Sequence, residues 1–255
     1  MPVLLIIYSF IEPFILVNKS YDLSKPENEK HVKIVFLTDI HVGPFYSVER
    51  LEKLVKRVNK LNPDIILLGG DYVHRDKKYI PLTFSALKEL KPAVFTGGVL
   101  GNHDHWESKD LSYEEMKKAN ITILDNANAS INVNGRTINI FGVGDYCEDV
   151  QKINYDDIRL RNGYNILLSH NPDYIGKLDQ HSIDRFDLVL SGHTHGGQVT
   201  LFGLWAPLVP SVYGQKFRTG IKTIGKTEMI ISNGIGTVTP PVRFCAFPQI
   251  CIITI

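Results

Sequence analysis

The chain has 255 residues, with 28 Lys and Arg against 27 Asp and Glu, a hydrophobic share of 44% and a charged share of 22%. A net charge of +1 excludes the diffuse basic field of a general nucleic-acid binder, and the apolar share excludes a disordered acidic or low-complexity chain. Roughly 250 residues suffice for one large core, so the expected organisation is an apolar amino-terminal segment with a polar lead-in, residues 1–30, and a single domain over residues 31–255.

From Met1 to Val17 the chain is apolar except for Ser9 and the pair Glu12-Pro13. The uninterrupted run is shorter than the ~20 residues of a spanning helix, and it lacks the positive flank and small-residue cleavage site of a secretory signal. Two readings stay open. One is a buried amino-terminal strand with Phe14, Leu16 and Tyr21 inward; the other is a short hydrophobic foot, residues 1–11, resting in a membrane or on a partner.

Asn18 to Lys30 is polar and contains the breaker Pro26. Val32 to Thr38 (VKIVFLT) then has the continuous β-rich character of a strand buried on both faces. A helix is expected from about Ser47, because Val48, Leu51, Leu54, Val55, Val58 and Leu61 recur at helical spacing until Asn62-Pro63 stops it. Asp64 to Gly70 is the next strand, Phe84 to Leu90 a second helix ended by Pro92, and Pro92 to Gly101 carries a third strand. Met116 to Asn120 closes a short helix. Ile131 to Val133 and Thr137 to Phe141 flank Asn134-Gly135, a strong hairpin signal. Tyr164 to Ser169, Phe186 to Ser191, Ile221 to Thr223, Glu228 to Ser232 and Gln249 to Ile255 complete the strands. Strands outnumber helices in a mixed order, so the expected class is α/β, a sandwich of two mixed β-sheets flanked by helices in four layers.

Five of the buried runs lead directly to residues able to bind a metal. VKIVFLT leads to Asp39-Ile40-His41, DIILLGG to Asp71, VLG to Asn102-His103-Asp104, YNILLS to His170, and FDLVLSG to His193-Thr194-His195. In α/β sheets ligands bind in the crevice outside the carboxyl ends of the strands, so five strand ends converge on one place. Side chains alternate along an extended segment. Asp39 and His41 should therefore face one side together, as should His193 and His195, each pair gripping one ion, while Asn102 and His103 should point apart. Imidazole, carboxylate and amide oxygen suit manganese, iron, zinc or nickel, not an all-oxygen calcium cage. Cys147, Cys245 and Cys251, odd in number and without CxxC spacing, are expected to be small buried hydrophobes.

These motifs, DIH, GGD, GNHD, SH and GHTH in that order, resemble those of calcineurin-like metallophosphoesterases from about residue 32 to the end. GHTHGGQ followed by Tyr213-Gly214, SNGIG and PPVRF is similar to a membrane-associated subfamily acting on lipid-linked or cell-envelope phosphates, in which a Glu-Pro follows an amino-terminal hydrophobic anchor, as Glu12-Pro13 does. The resemblance implies that Asp39, His41, Asp71 and His195 hold one divalent metal, that Asp71, Asn102, His170 and His193 hold the other, and that manganese is favoured. It implies hydrolysis of a phosphoester or pyrophosphate by metal-bound hydroxide. His103 then protonates the leaving oxygen or stabilises the transition state, with Asp104 orienting it. Arg243 is expected to face phosphate, with a structural ion pair as the alternative. The location implied is membrane-associated and peripheral, or cytoplasmic.

Other features weigh less. His31 and His181 lie in polar stretches and read as surface residues; His105 beside Trp106 reads as packing; His74 reads as a surface residue or a substrate contact. Gly97-Gly98 and Gly142-x-Gly144 lack the remaining glycine of a nucleotide-binding loop, and no G-x-S-x-G accompanies Ser169. Phe202 to Phe217 is either a packed surface loop or a hydrophobic wall on the substrate side. Rival functions are a soluble nucleotide phosphodiesterase, a protein phosphatase, or a non-catalytic scaffold. Against the scaffold, all seven ligand positions carry suitable residues.

Overall fold

The computed structural model describes residues 2–25, 30–153 and 162–255, which leaves Pro26 outside the described residues. Ile34, Phe36, Ile65 and Leu67 pack to one side of their strands, and their alternating neighbours Val35, Leu37, Ile66 and Leu68 pack to the other; both sets are fully buried. These runs are apolar without interruption because each strand has a core on both faces.

The strands are β1 (Val17–Asp22), β2 (Lys33–Leu37), β3 (Ile65–Leu68), β4 (Phe95–Gly98), β5 (Thr122–Ile123), β6 (Asn128–Val133), β7 (Arg136–Gly142), β8 (Tyr164–Leu168), β9 (Leu188–Ser191), β10 (Gly220–Ile224), β11 (Thr227–Ile231) and β12 (Gln249–Thr254). They form two six-stranded mixed sheets, ordered β1-β12-β2-β3-β4-β5 and β10-β11-β9-β8-β7-β6. Strands β2 to β5 run parallel in the first sheet and β7, β8, β9 and β11 in the second, with antiparallel pairs at β12/β2, β6/β7 and β10/β11. Ile138, Ile140, Ile166, Leu168, Leu188 and Ile230 meet the first sheet in the layer between the two.

Helices α2 (Val48–Asn59) and α3 (Tyr79–Leu87) cover the outer face of the first sheet, and α5 (Asp173–Lys177) and α6 (Gln180–Ile183) that of the second. The α2 helix begins where the pattern places it, with Ser47 Oγ accepting from the Arg50 N–H. Its buried stripe, Leu51, Leu54, Val55 and Val58, contributes roughly 1.5–3 kcal/mol per side chain. The expected four-layer α/β sandwich is observed.

Three elements differ from the sequence expectation. Residues Pro2–Ile11 form a helix, α1, and not a strand, and its apolar side chains are exposed. Its sequence has no alternation that would give a strand one buried face, and Pro2 in the first turn is compatible with a helix. Strand β1 follows after a 3-10 turn at Glu12–Phe14; Tyr21 is buried as expected, but Phe14 lies in the turn and is exposed. The polar text of β1 suits an edge strand, which among the described residues pairs with β12 alone. Helix α4 (Asn102–Lys118) covers 17 residues as two helical stretches that meet at a kink at Ser108, where the backbone is extended (φ −179°, ψ 104°); it reaches far beyond the short helix expected, because its polar first half carries no apolar period. Among the described residues no helix is long and apolar enough to cross a membrane. Of the three cysteines Cys251 is buried, whereas Cys147 is exposed and Cys245 half-buried.

Candidate metal centre

Strands β2, β3 and β4 of one sheet and β8 and β9 of the other deliver Asp39/His41, Asp71, Asn102/His103, His170 and His193/His195 from their carboxyl ends to one crevice between the sheet edges. The backbone there is not extended. Asp39, His41, Asp71, His193 and His195 all have positive φ, between 51° and 68°. Such conformations cost of order 1–3 kcal/mol each and persist where surrounding contacts fix them. Here adjacent turns tie each other: the amides of Asp39, His41 and Val42 donate to the carbonyls of Gly70, Asp71 and Tyr72. The motif glycines admit the carboxylates, since a Cβ on Gly101 would collide with Asp71 Oδ1 and one on Gly192 with Asp39 Oδ2.

Two donor groups result. Asp39, His41 and His195 bring ligand atoms within 4.8 Å of one another, and so do Asp71, His170 and His193. His41 Nε2 lies 3.0 Å from His195 Nε2, and His195 Nε2 lies 3.5 Å from Asp39 Oδ1. Asp71 Oδ2 is 3.4 Å from both His41 Nε2 and His170 Nε2, so one carboxylate oxygen stands between the groups. Asn102 Oδ1 lies 3.0 Å from His193 Nδ1 and 3.3 Å from His170 Nε2. His170 Nδ1 meets the Gly69 carbonyl at 2.7 Å, which as a donor leaves Nε2 free as a ligand. Burial drives His41, His193 and His195 below the ordinary histidine range, His193 to about 4. Neutral imidazole is the form a metal needs. His170 departs from this: against its burial, the Asp71 carboxylate 3.4 Å from its Nε2 holds it well above the ordinary histidine range, so a metal there would displace a proton. The nitrogen and oxygen set, the neutral imidazoles of His41, His193 and His195 and the shared carboxylate fit a pair of divalent transition-metal ions.

Several expectations change here. Alternation along a strand pairs His193 with His195, but the left-handed turn sends His195 to the Asp39 group and His193 to the Asp71 group. Asn102 and His103 are the first two residues of α4, not an extended dipeptide. Asp104 does not orient His103: its buried carboxylate accepts the amides of Asp71, Tyr72 and Gly101 at 2.7–3.0 Å, capping α4 and fixing the Asp71 turn. His103 is instead in contact with His74, Nδ1 to Nδ1 at 3.2 Å. His74 is buried, with its ring edge-on to His41, and burial together with His103 lowers its pKa to about 4. A surface role for His74 is therefore excluded; its place three residues after Asp71 was the available signal. His41, His74 and His103 also bring ring nitrogens within 4.8 Å of one another. His31 and His181 are exposed as expected, and His105 is half-buried.

Arg243 does not face the crevice's solvent side. It is fully buried, and its guanidinium donates to the carbonyls of His195, Asn233, Gly236 and Ala246, with Nη2 3.4 Å from His195 Nδ1. Its acceptors are carbonyls, so among the described residues the ion-pair alternative is not realised either. Arg243 holds the His195 turn from behind. Its own amide donates to the Ser9 carbonyl of α1. The buried Glu12 carboxylate accepts the amides of Cys245 and Ala246 at 2.8 and 2.7 Å. The Glu12-Pro13 pair thus fastens α1 to the segment that supports His195. Glu12→Gln leaves one of those amides without an acceptor and should lower stability by roughly 2–3 kcal/mol in urea unfolding. A change below about 0.5 kcal/mol, the range of ordinary surface substitutions, would show that the fastening is dispensable.

Residues 32–197 match the family described as calcineurin-like phosphoesterase. The chain is 32% identical over 268 residues to an uncharacterized metallophosphoesterase of Aquifex aeolicus, covering 99% of this chain and 97% of that protein. It is 31% identical over 222 residues to the phosphodiesterase YaeI of Escherichia coli, covering 83% and 77%. A Campylobacter jejuni metallophosphoesterase is 33% identical over 247 residues, 93% of this chain but 62% of that protein, so the chain spans less than two thirds of that relative's length. Among solved structures, TT1561 of Thermus thermophilus superposes with a TM-score of 0.52 at 16% identity, covering 81% of this chain and 91% of that one. NAD nucleotidase of Haemophilus influenzae superposes at 0.57 and 12% identity, covering 81% and 46%. The strand-end carboxylates and imidazoles, the two stacked mixed sheets and these matches agree: the chain belongs to the calcineurin-like phosphoesterase family, metal-dependent phosphoric ester hydrolases.

Proposed function

We propose that this chain hydrolyses a phosphoester or pyrophosphate of a lipid-linked or cell-envelope compound at a membrane surface, using two divalent ions. Asp39, His41, Asp71 and His195 would hold one ion and Asp71, Asn102, His170 and His193 the other. The observation that carries this reading is Asp71 Oδ2, 3.4 Å from an imidazole nitrogen of each group. When bound, such a pair supplies Lewis acidity toward phosphoryl oxygens and a nucleophile at neutral pH. The chain's own residues do the rest. Asp104 and Arg243 hold the two turns that carry Asp71 and His195, and His103 presents a proton to the leaving oxygen. The relative named as a phosphodiesterase, YaeI, supports a diester among the substrates.

The lipid part of the reading rests on exposed apolar surface. Leu204 and Val212, in the loop after the GHTH motif, are 83% and 82% exposed, and Phe202, Trp205 and Leu208 also face outward. The loop is anchored at its base by Arg218, which donates to the carbonyls of Gly196 and Gly203, so its crest presents apolar side chains next to the His195 turn. Of the two expectations for this segment, this favours the hydrophobic wall.

Metal content and a substrate panel with Mn²⁺ test the proposal. Two ions per chain, hydrolysis of a nitrophenyl diester, and preference for lipid phosphates or nucleotide-linked acyl sugars over cyclic nucleotides are expected. Preference for cyclic nucleotides would replace the lipid reading with the nucleotide one. Two bound ions with no turnover on any substrate would favour a scaffold.

A further inference from the structure

We propose that the cavity at the base of α1 binds the headgroup of an anionic phospholipid, an assignment that rests on the membrane-facing reading above and adds its lipid selectivity. The first turns of helix α1 are apolar and exposed on every face: Leu4, Leu5, Ile6 and Ile7 follow one another at about 100° per residue, and each is at least 44% exposed, whereas Tyr8 and Ser9 are half-buried where the helix meets the body. A protein groove covers one face of a helix; a lipid phase covers every face. Ten residues of helix span about 15 Å, about one leaflet of a ~30 Å hydrocarbon core. A second apolar segment joins α1 through Phe244, whose ring lies 6.0 Å from both Tyr8 and Phe202. Two segments distant in sequence therefore form one apolar face, with aromatic rings where they meet the body of the protein.

Immediately below, at the level where α1 gives way to the Glu12–Phe14 turn, lies an open cavity of about 180 Å³ lined by Pro13, Phe14, Tyr46, Arg50, Lys53 and Arg57 among others. The three cations sit at i, i+3 and i+7 on α2, one face of that helix. The partners of both guanidinium groups are uncharged. Arg50 donates to the carbonyls of Pro13 and Phe45, and Arg57 to the Leu16 carbonyl and the Asn18 side chain. Lys53 pairs with Glu49 at 2.7 Å, but both are exposed and that pair is weak. Arg50 is clamped between two rings, 4.4 Å from the Phe14 centroid and 4.3 Å from that of Tyr46, so its charge is held in place. Each guanidinium has five N–H donors, and the bonds described leave donors over for phosphate oxygens. Two guanidinium charges whose described hydrogen-bond partners are uncharged, with Lys53 only weakly paired beside them, set where an apolar helix emerges, complement an anionic headgroup at the depth where it would meet the protein.

The test is vesicle flotation of the full chain with phosphatidylcholine alone and with phosphatidylcholine containing phosphatidylglycerol. The expected result is binding to both and tighter binding to the mixture. Lys53→Gln and Arg57→Gln should each weaken binding to the mixture about fivefold, without altering binding to phosphatidylcholine alone. Arg50 is left intact because it also supports the Pro13 turn. Lys222→Gln, on β10 of the second sheet, should change nothing. Equal binding to both vesicles, or an effect of Lys222→Gln matching that of Arg57→Gln, would overturn the headgroup site while leaving membrane contact standing. Ile6→Asp should reduce binding to both vesicles alike; no binding of the unaltered chain to either would remove the membrane reading itself, and the headgroup site with it.

Discussion

Asp71→Asn is expected to empty both metal positions at once, whereas His195→Ala should weaken mainly one. The difference follows from geometry. Asp71 Oδ2 stands 3.4 Å from His41 Nε2 and from His170 Nε2, and its other oxygen accepts the His103 amide at 2.9 Å. An amide of the same size has one neutral acceptor oxygen and an NH₂ group, which cannot serve two cations and would face either a metal or the His103 N–H. His195 approaches Asp39 and His41 and groups with them, whereas His170 groups with Asp71 and His193. Losing an outer-shell partner typically reduces metal affinity about 10–100-fold, so losing the shared carboxylate should exceed that. Metal content per chain after dialysis and turnover of a nitrophenyl diester are the measurements. Two retained ions with undiminished turnover in Asp71→Asn would remove Asp71 from its bridging place.

The parts of this architecture readable in the sequence are those in which neighbouring residues share one physical demand. Ile34 to Leu37 and Ile65 to Leu68 are apolar throughout because sheet and helix layers bury both faces, and Leu51, Leu54, Val55 and Val58 repeat because one face of α2 is buried. Asn134 and Gly135 both adopt positive φ, as a two-residue hairpin turn requires. The same logic brings five strand ends to one crevice. It fails within the crevice, where Asp39, His41, Asp71, His193 and His195 leave the extended region and the period of two no longer applies. It fails again where a side chain's role depends on distant backbone. Asp104 serves amides around residue 71, Arg243 serves the carbonyl of His195, and Glu12 serves amides at 245 and 246. No local pattern encodes a partner 33 or 233 residues away. Helix α1 escapes sequence reasoning for another reason: its exposed side chains give the sequence no face to mark as inward.

His103→Ala should keep both ions and lose roughly 10²–10⁴-fold in turnover, the range of general acid–base catalysis. His103 opens α4, where its amide is held by Asp71 Oδ1 and its ring is packed between His41 and Trp106, with centroids at 4.7 and 4.6 Å. Its Nδ1 is engaged by His74 Nδ1 at 3.2 Å, so Nε2 is the ring nitrogen left to give a proton. The loss should then depend on the leaving group. A nitrophenolate departs with little protonation and an alkoxide requires it, so an alkyl ester should suffer far more than a nitrophenyl ester. Equal losses on the two esters would assign His103 to electrostatic stabilisation of the phosphoryl oxygens. Loss of an ion from His103→Ala would instead place His103 among the ligands, through the group it forms with His41 and His74. Metal content and the ratio of the two rates, measured on the same preparation, separate these outcomes.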